Sequence, residues 1–157
     1  MFTALVLEVF RVNGRLLASG DSLVADIGLT SARWQVLGAI HYAGTPQTVS
    51  ILARSMGLTR QAVQRLANDL AAKGLITFEP NPTHRRAQLV AFTPAGQTVY
   101  QAASQRQIPW ANAIATGSDP RDLETALATL VALRLQIDVI AGDAQTGLRS
   151  GPEKADG

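Results

Sequence analysis

Apolar residues recur at helical spacing from the start of the chain. Leu5, Val9, Val12 and Leu16, with Val6, Phe10 and Leu17 beside them, predict a helix over about 3–19. Gly20-Asp21 reads as a stop and restart, followed by a short turn or helix over 22–27. Thr30 or Ser31 suits an N-cap, whose side-chain oxygen accepts from the free N–H groups of a first turn. The helix behind it carries Trp34, Leu37, Ile40 and Tyr42 and ends near Gly44. After the Thr45-Pro46 loop a short helix spans about 48–55, presenting Val49, Leu52 and Ala53. Met56-Gly57-Leu58 turns the chain. Thr59 then caps a fourth helix that reaches about Lys73, with Gly74 in the left-handed position that ends helices.

The period changes at Leu75. Leu75 to Glu79 is short and apolar, and its Ile76, Thr77 and Phe78 suit a strand. Asn81-Pro82 and the polar run to Arg86 form a loop, and Gln88 to Phe92 returns as a second strand, so a two-stranded hairpin is expected. Thr93-Pro94 opens another helix with a cap and a first-turn proline. It passes Tyr100 toward Ala115, with a kink or break expected at Pro109. Asp119-Pro120 begins a last helix to about Ala141. Residues 142–157, rich in Gly, Ser, Asp and Lys, are expected to be a flexible tail.

Composition narrows the chemistry. Hydrophobic residues make up 46% of the 157, enough for a core, and charged residues only 17%, below the usual quarter, as in chains that hide surface in an oligomer. There is no cysteine, which removes disulfides, zinc–thiolate sites and thiol nucleophiles and fits the cytoplasm. The two histidines, His41 and His84, stand in no metal-ligand spacing, and Gly14 and Gly20 form no phosphate loop. No metal, cofactor or enzymatic activity is expected. Residues 34–53 carry no charge, yet Gln35, His41, Gly44, Pro46, Gln47 and Ser50 suit hydrocarbon badly, so no membrane span is expected. The apolar start, Phe2 to Leu7, lacks the basic region of a signal peptide. A cytoplasmic protein follows.

The net charge is +2, but its distribution is uneven. Between Gln47 and Val90 there are six basic residues and two acidic ones, a net +4, against −2 for the rest of the chain. That suits an anionic partner at one region. On charge alone a chance cluster of solvated arginines fits equally well.

The order helix, turn, helix, hairpin between Thr48 and Thr93 decides between them. In a helix-turn-helix the second helix enters the DNA major groove while the first braces it. Its inner face here would be Leu52, Leu58, Val63, Leu66 and Leu70. The other face presents Arg60, Gln61, Gln64, Arg65 and Asn68 behind the Thr59 cap. Arginine reads guanine bidentately and glutamine or asparagine reads adenine. An ordinary amphipathic helix would also have a polar face; the hairpin that follows weighs against that reading. His84, Arg85 and Arg86 sit at the hairpin tip, where a protruding loop can reach phosphates or a minor groove.

The run Leu58-Thr59-Arg60-Gln61-Ala62-Val63-Gln64-Arg65-Leu66, continuing through Leu70 and Ala72-Lys73-Gly74-Leu75-Ile76, resembles the recognition helix and first wing strand of the MarR family. Asn81-Pro82-Thr83-His84-Arg85-Arg86-Ala87, Leu89 and Phe92-Thr93-Pro94-Ala95-Gly96 resemble its wing and fifth helix, and Leu29-Thr30 with Trp34, Val36 and Leu37 its second helix. The resemblance covers about Val6 to Ile140. It implies a homodimer and often a small-molecule ligand that weakens DNA binding. It points to Gln61, Gln64 and Arg65 for the major groove and Arg86 for the wing. One departure stands out: the family usually has an aspartate two residues before the wing arginine, and here that residue is His84. Asn81 likewise stands where an acid is common.

The fold class expected is mainly α with a small β-hairpin: a winged helix-turn-helix lobe (29–93), flanked by an N-terminal dimerisation helix region (1–28) and C-terminal dimerisation helices (94–141). On the last helix Ala126, Leu130, Leu133, Ile137 and Ile140 make one apolar line and Leu127, Val131, Leu135 and Val139 another. A helix apolar over so much of its girth needs cover on more than one side, which favours a second copy of the chain. The function expected is that of a sequence-specific double-stranded DNA-binding transcription regulator, a repressor acting as a homodimer on a pseudo-palindromic site. The rival reading is a winged-helix module for protein contacts. A small aromatic or amphipathic effector would occupy a crevice to which Trp34, His41 and Tyr100 contribute. Histidine gains its charge between about pH 5 and 8. A protonated His84 adds positive charge to the wing tip, so duplex affinity should rise modestly below pH ~6.5 and stay flat in His84→Gln. Binding titrations of both proteins across that range test this, and an identical response in the two would overturn it.

Overall fold

α1 (Phe2–Val24) opens the chain and a short 3-10 turn, Ala25–Ile27, follows; each of the next four α-helices begins behind a threonine. Thr30 accepts the Arg33 N–H at the start of α2 (Ser31–Ala43), Thr48 the Ile51 N–H at α3 (Val49–Met56), and Thr59 the Ala62 N–H at α4 (Arg60–Ala72). Thr93 Oγ1 accepts the Gly96 N–H at α5 (Pro94–Ala115). Each hydroxyl satisfies a donor that the first helical turn leaves free. The computed structural model describes residues 1–147, with side chains described through residue 141. It divides into two compact units, Met1–Asn112 and a second that begins at Ala113.

The first unit is mostly helical with a small antiparallel sheet. β2 (Ile76–Glu79) and β3 (Leu89–Phe92) form the expected hairpin, and β1 (Gln47–Thr48) adds a third strand in the order β1-β3-β2. β1 pairs Gln47 with Val90 and Thr48 with Leu89. Two residues are too few to show an alternating pattern, so no periodicity marks this strand. The core lies where α2, α3, α4 and β3 meet. Val36, Leu37, Leu52, Val63, Ala67, Leu70 and Val90 are all 1% exposed or less, and each of the larger ones contributes about 1.5–3 kcal/mol by leaving water. Leu58, expected inside, is exposed: it follows the α3 turn and sends its backbone N–H, not its side chain, inward to Ala53 O at 2.9 Å.

Three expectations are corrected. Gly20-Asp21 does not end the first helix, which runs through to Val24. The pair serves α2 instead: Asp21 accepts the Ser31 N–H at 2.6 Å, and a Cβ on Gly20 would lie 2.7 Å from Ser31 Oγ. The glycine thus allows two helices to approach rather than breaking one. The break expected at Pro109 does not occur: α5 is one helix through it, as when intact turns on both sides absorb one missing donor and one steric clash. In the second unit α6 (Pro120–Gly147) continues beyond Ala141, because Gly142 costs a helix only about 1 kcal/mol relative to alanine. The rest of the expected tail, 148–157, lies outside the described residues.

The base of the hairpin is tied to α5 at one point. Thr93 donates its hydroxyl to Gly74 O at 2.7 Å and its N–H to Leu75 O at 3.1 Å. Gly96 presses against the same carbonyl, so closely that a Cβ there would lie 1.8 Å from Leu75 O. Gly74 itself has φ +70° and open space around it. Gly96→Ala should therefore cost about 2–3 kcal/mol, because backbone must move, whereas Gly74→Ala should cost about 1 kcal/mol from the left-handed φ alone. Urea midpoints at unchanged slope measure both, and equal losses would contradict the close approach.

Candidate nucleic-acid interface

α4 owes its orientation to the turn before it. Gly57, at φ +65°, donates its N–H to Arg54 O, and Leu58 donates to Ala53 O, the paired bonds that close a helix on a left-handed residue. Thr59 then caps α4 at once, so only three residues, Gly57, Leu58 and Thr59, separate the helices. Val63, Ala67 and Leu70 face the core with no exposure. On the opposite side Thr59, Arg60, Gln61, Arg65 and Asn68 are exposed and Gln64 is half-buried. Gln64 Nε2 donates to Asn68 Oδ1 at 3.0 Å, which leaves the Gln64 carbonyl and the Asn68 N–H groups for other partners. Thr59, Arg60, Gln61, Gln64, Arg65 and Asn68 line a single shallow surface together with Asp69.

Asp69 is the one acid on that surface, and it is held. Arg33 of α2 donates to its Oδ2 at 3.2 Å. Sequence reasoning missed Arg33. The available signal was a cation in the first turn of α2, where the helix dipole opposes it and an acid elsewhere is the natural partner.

The hairpin loop is shaped by Asn81. Its Oδ1 accepts the Thr83 N–H at 3.0 Å and the Thr83 hydroxyl at 2.8 Å. Two turns follow, His84 N–H to Asn81 O and Ala87 N–H to His84 O. His84, Arg85 and Arg86 are exposed at the tip. Among the described residues none of Arg60, Arg65, Arg85 and Arg86 joins an ion pair.

Between α1, α2, α3 and α5 lies a cavity of about 850 Å³. Trp34 and Tyr100 line it. His41 does not; it stacks on Tyr100 with ring centres 4.6 Å apart and meets Tyr42 edge-on at 5.4 Å. Burial raises the Tyr100 hydroxyl above its ordinary value; a bond from Ser104 opposes this and Tyr42 adds to it. The phenol is therefore neutral at physiological pH.

A profile of the MarR family matches residues 27–87, the span from the end of the first helical region through the wing loop. An uncharacterized protein of Mycobacterium tuberculosis is 41% identical over 133 residues, covering 85% of this chain and 90% of that one. A MarR family transcriptional regulator from Streptomyces coelicolor is 25% identical, with TM-score 0.72 over 90% of this chain and 95% of that one. The chain belongs to the MarR family. A mutant MarR from Escherichia coli complexed with operator DNA shares the fold, with TM-score 0.75 at 21% identity over 83% of this chain and 93% of that one. The hairpin turn is organised by the neutral amide of Asn81, and the position before the two arginines is His84. Thr59→Ala should loosen the first turn of α4 by about 1 kcal/mol. Amide exchange at Ala62 reads this directly, and unchanged protection there would show that the cap bond contributes nothing.

Proposed function

We propose that the chain is a sequence-specific double-stranded DNA-binding transcription regulator that works as a homodimer. One observation carries the reading. The outward face of α4 holds two arginines and three amide side chains around a capped first turn, all exposed except the half-buried Gln64. Arg60, Gln61, Gln64, Arg65 and Asn68 would read base edges, with the Thr59 hydroxyl and the first-turn N–H groups toward phosphate. His84, Arg85 and Arg86 would reach the flanking backbone or minor groove.

The second copy is supported by apolar surface. On α1, Phe2, Leu7, Phe10, Val12 and Leu16 are all exposed. On α6, Leu123, Leu127, Leu130, Leu135, Ile137 and Ile140 are exposed as well. Such continuous apolar faces mark association surfaces in proteins that are not embedded in lipid, and among the described residues no helix is long and apolar enough to cross a membrane. A two-fold pair would place its α4 helices about 34–36 Å apart on a pseudo-palindromic site. A dimer lying across a promoter excludes other proteins from it, so the regulation proposed is repression. The cavity beside α3 would take a small effector that weakens DNA binding. CouR from Rhodococcus jostii, which shares this fold, has been crystallised bound to p-coumaroyl-CoA, which supports ligand binding on this fold.

Selection of bound fragments from the encoding genome supplies the site. On that site Arg65→Ala should cost roughly 1–3 kcal/mol and relax the preference at its base pair, whereas Arg86→Ala should weaken all sequences alike and lower the salt slope by about one. Binding that ignores both substitutions, or no duplex binding at all, would overturn the reading. Sedimentation of Leu130→Asp should show monomer where the parent chain shows dimer.

A further inference from the structure

Asp69 stands one turn beyond Arg65 on α4, and both line the same shallow surface. Residues four apart on a helix are neighbours, near enough for a carboxylate and a guanidinium to pair. Such a pair is charge-assisted and can close two hydrogen bonds at once. It would occupy the donors with which Arg65 would read a guanine. The helix thus carries its own competitor for that guanidinium.

The pair does not form. Asp69 Oδ2 accepts from Arg33 Nη2 of α2 at 3.2 Å instead, and among the described residues Arg65 joins no ion pair. Stability explains Arg33 poorly. Its Nε is cut off from solvent and has no hydrogen-bond partner among the described residues, and a buried donor left unbonded is destabilising. The ion pair offsets little of this, because the two side chains remain 25% and 47% exposed. What Arg33 does achieve is to hold the one acid that can reach Arg65. Lys73, a turn beyond Asp69, is the other cation within reach of a freed carboxylate. It does not line the shared surface, and its ammonium lacks the planar fork that grips a carboxylate by two bonds.

We propose that Arg33 is a positioning residue for DNA recognition: by holding Asp69 it keeps the Arg65 guanidinium free to read its base pair. The proposal rests on the DNA-binding reading above for its consequence. Its cause lies in the geometry of α2 and α4 alone.

Two measurements on the full chain test it. The first compares anisotropy titrations of the selected duplex and of one changed at the base pair where Arg65→Ala relaxes the preference. Arg33→Met keeps the apolar stem and removes the charge. It should lower the discrimination between the two duplexes by at least about fivefold, and adding Asp69→Asn should restore it. Loss of one positive charge weakens both duplexes alike and leaves their ratio unchanged, so the ratio separates positioning from simple electrostatics. An unchanged ratio, or a lost ratio that Asp69→Asn does not restore, overturns the proposal. Arg33→Gln takes the place of Arg33→Met if that variant does not fold.

The second measurement needs no DNA. The Arg65 Nε–H signal, assigned by its absence in Arg65→Lys, should shift and exchange more slowly with water in Arg33→Met, and return in the double variant. A signal that stays in place overturns the proposal whether or not a duplex binds. A signal that moves in a protein whose parent binds no duplex upholds the competition for Arg65 and removes only the DNA-binding reading.

Discussion

α4 can bury only one of its faces, and the rest of the winged unit is arranged around that fact. Val63, Ala67 and Leu70 give it a narrow apolar stripe, met by Leu52 of α3 and by Val36 and Leu37 of α2. Once these are fixed, helical geometry leaves Arg60, Gln61, Arg65 and Asn68 no direction but outward. The alanine at position 67 matters as much as the larger residues, because a fully buried small side chain lets neighbouring elements come close. Rotating α4 to bring an arginine inward would bury a charge among Leu, Val and Ala, at a cost well beyond the few kcal/mol such a domain has to spare.

The wing depends on the same helix. The chain leaves α4 through Gly74 at φ +70°, with Leu75 N–H returning to Leu70 O at 3.0 Å. That bond ends the helix and starts the sheet within two residues. Leu75 then receives Thr93 and Gly96 on its carbonyl, so one peptide unit links α4, the hairpin and α5. The hairpin tip can carry His84, Arg85 and Arg86 into solvent because its base is anchored so tightly.

Much of this was legible in the sequence, and the reasons differ by element. The threonines at 30, 48, 59 and 93 and the glycines at 44, 57 and 74 announce their helix ends because caps and left-handed residues act locally. Gly20 misled for the opposite reason: its role is a contact with Ser31, eleven residues away, which no local rule contains. β1 was invisible because its strand character comes only from pairing with β3. The outward set on α4 was readable from periodicity, whereas Arg33 was not, since its partner Asp69 lies 36 residues further on. Trp34 and Tyr100 line the cavity, but His41 packs behind Tyr100, a difference of side-chain direction that spacing alone does not resolve.

The distribution of paired and unpaired arginines shapes the outward face of α4. Arg60, Arg65, Arg85 and Arg86 face outward without an acid among the described residues, whereas Arg33 is bound to Asp69 and Arg106 to Asp26. The Arg33 pair neutralises the single carboxylate on the α4 surface, which would otherwise repel the phosphates of the duplex proposed above. Half-exposed ion pairs of this kind add little stability. The effect of this one is to sort charge: cations are left free on the surface proposed to meet DNA, and the acid among them is held. The same twelve acids and fourteen bases in another order would give an equal net charge without that arrangement.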